Sequence, residues 1–419
     1  MDGVSLSGIA VSPTPEQIRF MTAGSVDDGK STLIGRLLLD SGVLMRDHVA
    51  SMGDNADDLA SLTDGLEAER SQGITIDVAY RYFATPRVRF IIADAPGHEQ
   101  YTRNMVTAAS ASDVAVIVID AARVENGVLR PQTRRHAAIA ALMGLDIIVA
   151  VNKMDLVDWS QARFAEIEKA FAALADSLGL ASVTCIPVSA RAGDNVVRRG
   201  GPIWWTGPTL IDAISASNVV ADRSVGPLRL PVQAVLRTGV SRFYAGRVEG
   251  GVIRPGDSIV VGPPGTAATV AQVRMGGRPV NRAEAGASVA VELVEERDIT
   301  RGDVIAAPGA RYTQNVVADI CWLDETAWSK SRRYILRQGA LETQALIEGF
   351  NFLHDIEDFT RRTGVVETLK LNDIASVRVT TRDPILADLY VNAPGTGAFA
   401  LFDAQTNQTC AAGMIREVL

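Results

Sequence analysis

Residues 24–31 read Gly24-Ser25-Val26-Asp27-Asp28-Gly29-Lys30-Ser31. The mostly apolar run Ile18 to Ala23 before them predicts a buried strand, and Thr32 to Leu39 after them predicts a helix. A glycine-containing turn between strand and helix is the context that a phosphate-binding P-loop requires. Gly24 and Gly29 let the backbone wrap with its N–H groups pointing inward, and the helix N-terminus adds partial positive charge. In that frame Lys30 reaches the β- and γ-phosphates and the Ser31 hydroxyl is a ligand for Mg2+, with Thr32 leading into the helix. The stretch predicts a nucleoside triphosphate site.

The surrounding pattern agrees with an α/β sheet. Strand-like runs at Val88 to Ala93, Val114 to Ile119, Ile147 to Val151 and Val183 to Pro187 alternate with helical stretches. The clearest helices are Pro131 to Leu142, with proline in the first turn, and Ser160 to Leu178, with a serine cap. Such alternation predicts a doubly wound sheet that binds ligands at the carboxyl ends of its strands. Past Ser215 to Val225 the pattern changes to short β-rich runs broken by Gly, Pro and Asp: Leu230 to Val235, Gly246 to Val248, Ser258 to Val261 and Val289 to Val294. These predict β-barrels, with Pro308-Gly309-Ala310 as a linker. The expected division is a flexible lead over 1–16, a nucleotide-binding domain over 17–220, and barrels over 226–308 and 310–419.

Composition sets limits on the rest. A chain of 419 residues, 47% hydrophobic and 21% charged, has core material for two or three globular domains. It contains no run of about 18 apolar residues, which excludes a membrane-spanning helix, and no basic residue precedes an apolar run near Met1, so no secretory signal is expected. The three cysteines, Cys185, Cys321 and Cys410, are far apart, as in a reducing, cytoplasmic setting without disulfides or thiolate metal sites. A net charge of −8 argues against a nucleic-acid partner.

Further motifs fall at strand ends. Asn152-Lys153-Met154-Asp155 follows the strand Ile147 to Val151. The Asp155 carboxylate can accept two hydrogen bonds from guanine, at the ring N–H and the exocyclic amine. Adenine would leave it unpaired, at a cost of about 1–3 kcal/mol or more, so the loop selects GTP. Ser189-Ala190-Arg191, after the next strand, is expected to offer a backbone N–H to the guanine carbonyl. Asp94-Ala95-Pro96-Gly97-His98 ends the strand at Val88 to Ala93. Asp94 can hold Mg2+ through water, the Gly97 N–H can sense the γ-phosphate, and His98 can orient the attacking water. Thr75, within Gln72-Gly73-Ile74-Thr75-Ile76, can supply a further Mg2+ ligand in a switch segment. Asp27 and Asp28 are acidic residues in a phosphate loop; they can bind a cation, meet the switch or point to solvent.

Together these residues resemble the translation-factor class of GTPases, and the likeness continues into Gly246-Arg247-Val248-Glu249, Gly251 to Asp257 and Arg301-Gly302-Asp303. Within that class, Gly24 to Thr32, Asp64 to Arg70, Gly73 to Phe83 and Pro96 to Met105 resemble the large GTPase subunit family of heterodimeric bacterial sulfate adenylyltransferase. Leu371 to Ile374, Thr396 to Phe399 and Ala412 to Met414 fit as well. The resemblance implies an elongation-factor-like fold: a P-loop GTPase domain followed by two β-barrels. It also implies a small partner subunit that makes adenosine 5′-phosphosulfate and pyrophosphate from ATP and sulfate, driven by GTP hydrolysis here. Carried over residue by residue, Gly24 to Thr32 hold phosphates and Mg2+, Thr75 and Asp94 to His98 form the switches, and Asn152, Lys153, Asp155, Ser189 and Ala190 hold guanine. Ala95 in place of a usual Thr, a short Gly42 to Leu62 segment, and a loose match over 310–370 depart from the family. Lys153, Lys169, Lys330 and Lys370 do not follow glycine, so no second Gly-Lys phosphate loop of a fused kinase is expected. The alternatives are an elongation factor that binds aminoacyl-tRNA and a related GTPase of a specialised sulfation pathway.

Overall fold

The computed structural model describes residues 16–42, 59, 78–85, 88–95, 102–180, 182–217, 224–239, 241–263, 265–355, 360–363 and 368–419. In chain order the first part runs β1 (Glu16–Ala23), α1 (Lys30–Asp40), β2 (Ala79–Ala84), β3 (Val88–Asp94), α2 (Thr102–Ser110), β4 (Val114–Asp120) and α3 (Pro131–Leu142). It continues with β5 (Asp146–Asn152), α4 (Gln161–Ser177), β6 (Thr184–Pro187) and α5 (Leu210–Ser215). The six-stranded sheet has the order β2-β3-β1-β4-β5-β6, antiparallel only at β2–β3.

Alternation along each strand divides the core into two layers. Phe20, Val116 and Ile148 face α1 and α5, packing with Leu33, Leu37 and Ile211. Their neighbours Met21, Ile117 and Val149 face α2, α3 and α4, packing with Met105, Ile139 and Phe171. β4 is buried at every position, which is why it reads as an unbroken apolar run. Ser160 caps α4 by accepting the Arg163 N–H at 3.2 Å, and Pro131 opens α3. Because the parallel strands run the same way, Thr22 lies beside Asp94 and Asp120 beside Asn152, all at one sheet edge.

Two further sheets each close into a barrel. In the first, Ser258–Val261 pairs with Val304–Ala306, then come Arg229–Thr238, Ser241–Arg247, Ser288–Leu293 and Thr266–Met275, which returns to Ser258–Val261. The second runs Tyr334–Gln338, Ala398–Asp403, Thr409–Val418, Tyr312–Trp322, Ile374–Leu386 and Leu341–His354, closing on Tyr334–Gln338. The strand expected at Gly246 to Val248 begins earlier, at Ser241, and ends at Arg247; Val248 still donates to the Ala287 carbonyl and accepts from the Gly286 N–H, just before the facing strand Ser288–Leu293.

The barrels are tied to each other and to the sheet. Arg229 forks onto Asp388 at 2.7 and 2.9 Å, both side chains largely buried. Cys321, Leu323, Tyr390 and Met414 of the second barrel join the apolar layer of α2 to α4. All three cysteines are buried free thiols. Among the described residues no helix is long and apolar enough to cross a membrane.

Candidate functional site at the strand ends

The phosphate loop is shaped by two glycines. Gly29, at φ 95, caps α1, and a Cβ there would stand 2.4 Å from Asn152 Nδ2. At Gly24 a Cβ would stand 2.4 Å from the Val118 carbonyl oxygen. A side chain at Gly24 would meet the backbone of the neighbouring strand, and one at Gly29 would meet the Asn152 amide at a φ that L-residues rarely adopt.

Inside the loop, polar groups pair with one another, while among the described residues Ser25 Oγ and Asp28 Oδ1 are buried without a hydrogen-bond partner. Lys30 Nζ donates to the Gly24 and Ser25 carbonyls at 3.1 and 2.8 Å, and the Ser25 N–H donates to Asp28 Oδ2 at 2.7 Å. Burial pushes the Lys30 ammonium down, opposed by the charges of Asp94, Asp28 and Asp27. It pushes the Asp28 carboxyl up, opposed chiefly by Lys30. Asp28 is thus turned inward and buried, while Asp27, at φ 65, is exposed with its carboxylate 3.4 Å from Arg123. Val26, Ser31 and Thr32 are half-buried.

Sequence reasoning missed one support of this loop. The Gly24 N–H donates to His136 Nδ1 at 3.0 Å, and the opposite ring nitrogen stands 2.9 Å from the side-chain amide of Gln132. Burial, with the charges of Lys30 and Arg135, pushes His136 down to about 3, so the ring is neutral and free to accept. In the sequence His136 is one histidine on the apolar face of a helix, and nothing there points to strand β1.

The base-side loops are laced to the phosphate loop. Asn152 Nδ2 donates to the Asp28 carbonyl at 2.9 Å, and Asn152 Oδ1 accepts the Ala190 N–H at 2.9 Å. Lys153 Nζ reaches the Asp27 carbonyl at 2.5 Å and Asp120 Oδ2 at 2.7 Å. Asp120 is the polar last residue of an apolar strand and stands in register with Asn152, a position that no motif marks in the sequence. A cavity of about 230 Å³ opens between these loops, lined by Gly29, Thr32, Asn152, Asp155, Ala190 and Arg191. Ser189 is buried beside it and its Oγ accepts the Ala192 N–H at 3.2 Å. Of the backbone N–H groups in Ser189-Ala190-Arg191, the stretch expected to offer one to guanine, that of Ala190 is engaged by Asn152.

Asp94, at the end of β3, accepts the Thr22 hydroxyl at 3.1 Å, and its charge acts on Lys30. The structure thus gathers Gly24 to Thr32, Asp94, Asn152, Lys153, Asp155, Ser189 and Ala190 at one edge. Thr75, Gly97 and His98 lie outside the described residues.

Known families match this architecture piece by piece. The elongation factor Tu GTP binding domain matches residues 16–220, elongation factor Tu domain 2 matches 242–306, and the GTP-eEF1A C-terminal domain-like family matches 315–416. The chain is 44% identical over 412 residues to the bifunctional enzyme NodQ of Rhizobium sp. (strain N33), covering 95% of this chain and 63% of that protein. It is 44% identical over 415 residues to the bifunctional enzyme CysN/CysC of Mycobacterium tuberculosis (strain CDC 1551 / Oshkosh), covering 95% of this chain and 67% of that one. It therefore spans only 63% to 67% of the bifunctional relatives. Sulfate adenylyltransferase subunit 1 of Vibrio vulnificus (strain CMCP6) is 43% identical over 417 residues, 96% of this chain and 86% of that protein. With a GTP-binding domain, two barrels and this end-to-end likeness, the chain belongs to the sulfate adenylyltransferase subunit 1 family.

Proposed function

We infer that this chain is the GTP-hydrolysing subunit of a sulfate adenylyltransferase, in which GTP turnover drives formation of adenosine 5′-phosphosulfate and pyrophosphate from ATP and sulfate on a small partner subunit. The observation that carries the reading is the cavity beside Gly29 and Thr32, where Asp155 and the loop at Ala190 stand next to the phosphate loop. Asp155 takes the two donors on guanine, and a backbone N–H of the facing loop takes its carbonyl. Lys30 leaves the carbonyls of Gly24 and Ser25 for the β- and γ-phosphates, and the helix N-terminus adds its N–H groups.

Residues suited to Mg2+ are present: a hydroxyl at Ser31 and a carboxylate at Asp94, both hard oxygen donors, with phosphate oxygens to complete the shell. Thr75 would add a second hydroxyl. Bound there, Mg2+ neutralises phosphate charge during transfer. His98 positions the attacking water, and Lys30 stabilises charge on the departing phosphates.

Nucleotide competition on the purified chain tests this reading. GTP should displace a fluorescent guanine nucleotide where ATP at the same concentration does not, and Lys30→Ala should abolish GTP turnover. Equal displacement by ATP, or undiminished turnover in the variant, would refute it.

A further inference from the structure

In the sequence, Arg36 and Asp40 look like an ordinary i, i+4 pair on a helix face. The fold gives them another partner. The side chains are 17% and 16% exposed, and the Arg36 guanidinium crosses to a loop 154 residues away. Its Nε donates to the Ala190 carbonyl at 3.2 Å and its Nη2 to the Arg191 carbonyl. Asp40 Oδ1, 3.5 Å from Nη1, holds the fork from the other side. Gly193 packs against the same pair: a Cβ there would lie 3.2 Å from Arg36 Cδ and 3.3 Å from Asp40 Oδ2.

The orientation of one peptide follows. A trans peptide points its C=O and the next N–H in opposite directions. With the Ala190 carbonyl drawn toward Arg36, the Arg191 N–H points away from that side chain, and both Ala190 and Arg191 line the cavity. The neighbouring donors are already used, Ala190 N–H on Asn152 Oδ1 and Ala192 N–H on Ser189 Oγ. Among the described residues, Arg191 N–H has no acceptor.

We propose that Arg36 is the positioning residue for base recognition, holding the 190–191 peptide so that its N–H meets the carbonyl at position six of guanine. A planar cationic fork suits the task, because its fixed N–H groups hold two successive carbonyls in one orientation. The helix that starts at the phosphate loop thereby also sets the loop that reads the base. The proposal rests on the guanine reading above.

Ratios of affinities on one preparation provide the test, since they are independent of the active fraction. Competitive dissociation constants would be measured for GTP, ITP, ATP and 2,6-diaminopurine riboside triphosphate with the parent chain, Arg36→Ala and Arg36→Lys. ITP keeps the carbonyl and lacks the exocyclic amine; the diaminopurine keeps the amine and lacks the carbonyl and the ring N–H. In Arg36→Ala the preference for GTP over the diaminopurine should fall about tenfold, the worth of one hydrogen bond. It should stay above unity, because Asp155 still senses the ring N–H, and the GTP-to-ITP ratio should hold. Arg36→Lys should fall between, which keeps the test readable if the alanine variant does not fold. An unchanged diaminopurine ratio, or an equal fall in both ratios, would overturn the proposal. A parent chain that binds ATP as well as GTP would instead overturn the guanine reading beneath it.

Discussion

His136 Nδ1 accepts the backbone N–H of Gly24 at 3.0 Å, joining α3 to the start of the phosphate loop across 112 residues of sequence. The far end of α3 is held by the second barrel. There the Met143 carbonyl accepts Tyr390 Oη at 2.8 Å, and the Leu142 carbonyl accepts Arg416 Nη2 at 2.9 Å. Carbonyls at a helix C-terminus have no partner within the helix, and a guanidinium placed there also meets the negative end of the helix dipole. The position of α3, and hence of His136, is therefore fixed from a different domain.

The buried imidazole has an acid signature. His136 is pushed from 6.5 down to about 3, so above pH 6.5 it is neutral in both the folded and unfolded chain and favours neither. Below pH 6.5 the unfolded chain takes up a proton that the fold refuses, and stability falls by about 1.4 kcal/mol per pH unit until the pH nears 3. His136→Gln keeps an acceptor for Gly24 and removes the titration. Its melting temperature should decline less steeply than the parent's between pH 6.5 and 4.5; parallel acid limbs would contradict the assignment.

Gly29→Ala should weaken nucleotide binding by crowding Asn152 where the phosphate loop meets the base-side loop. The new Cβ would fall 2.4 Å from Asn152 Nδ2, at a backbone φ of 95 that L-residues rarely adopt. Strain of this kind costs about 1–3 kcal/mol, so GTP affinity should drop by roughly tenfold or more. Calorimetric titration that returned the parent's affinity would show that Asn152 has room to move.

Asp155→Asn should exchange one nucleotide for another. The amide can donate where the carboxylate only accepts, and xanthine presents a carbonyl where guanine has its amine. GTP affinity should fall and that of xanthosine triphosphate should rise above it. An unaltered preference would mean that Asp155 does not read the base.

Much of this was legible in the sequence, for physical reasons. Pro131 to Leu142 was readable because an N-terminal proline and an apolar face coincide, and β4 because both its faces are buried. The strands at Tyr312–Trp322 and Leu341–His354 were not picked out: barrel strands carry polar residues on their solvent face, and their runs look weak one at a time. Within the site, local motifs brought Lys30, Asn152 and Asp155 into view. His136 and Arg36 stayed hidden, since each acts on backbone groups more than a hundred residues away and no local spacing encodes such a contact.

The decisive measurement is the yield of adenosine 5′-phosphosulfate from ATP and sulfate by this chain with the candidate small subunit, in parallel with GTP consumption. With GTP, product should accumulate beyond the level reached without it, in step with GTP consumed, and Lys30→Ala should erase the difference. The same yield with and without GTP, while GTP is being hydrolysed, would contradict the coupling of the two reactions.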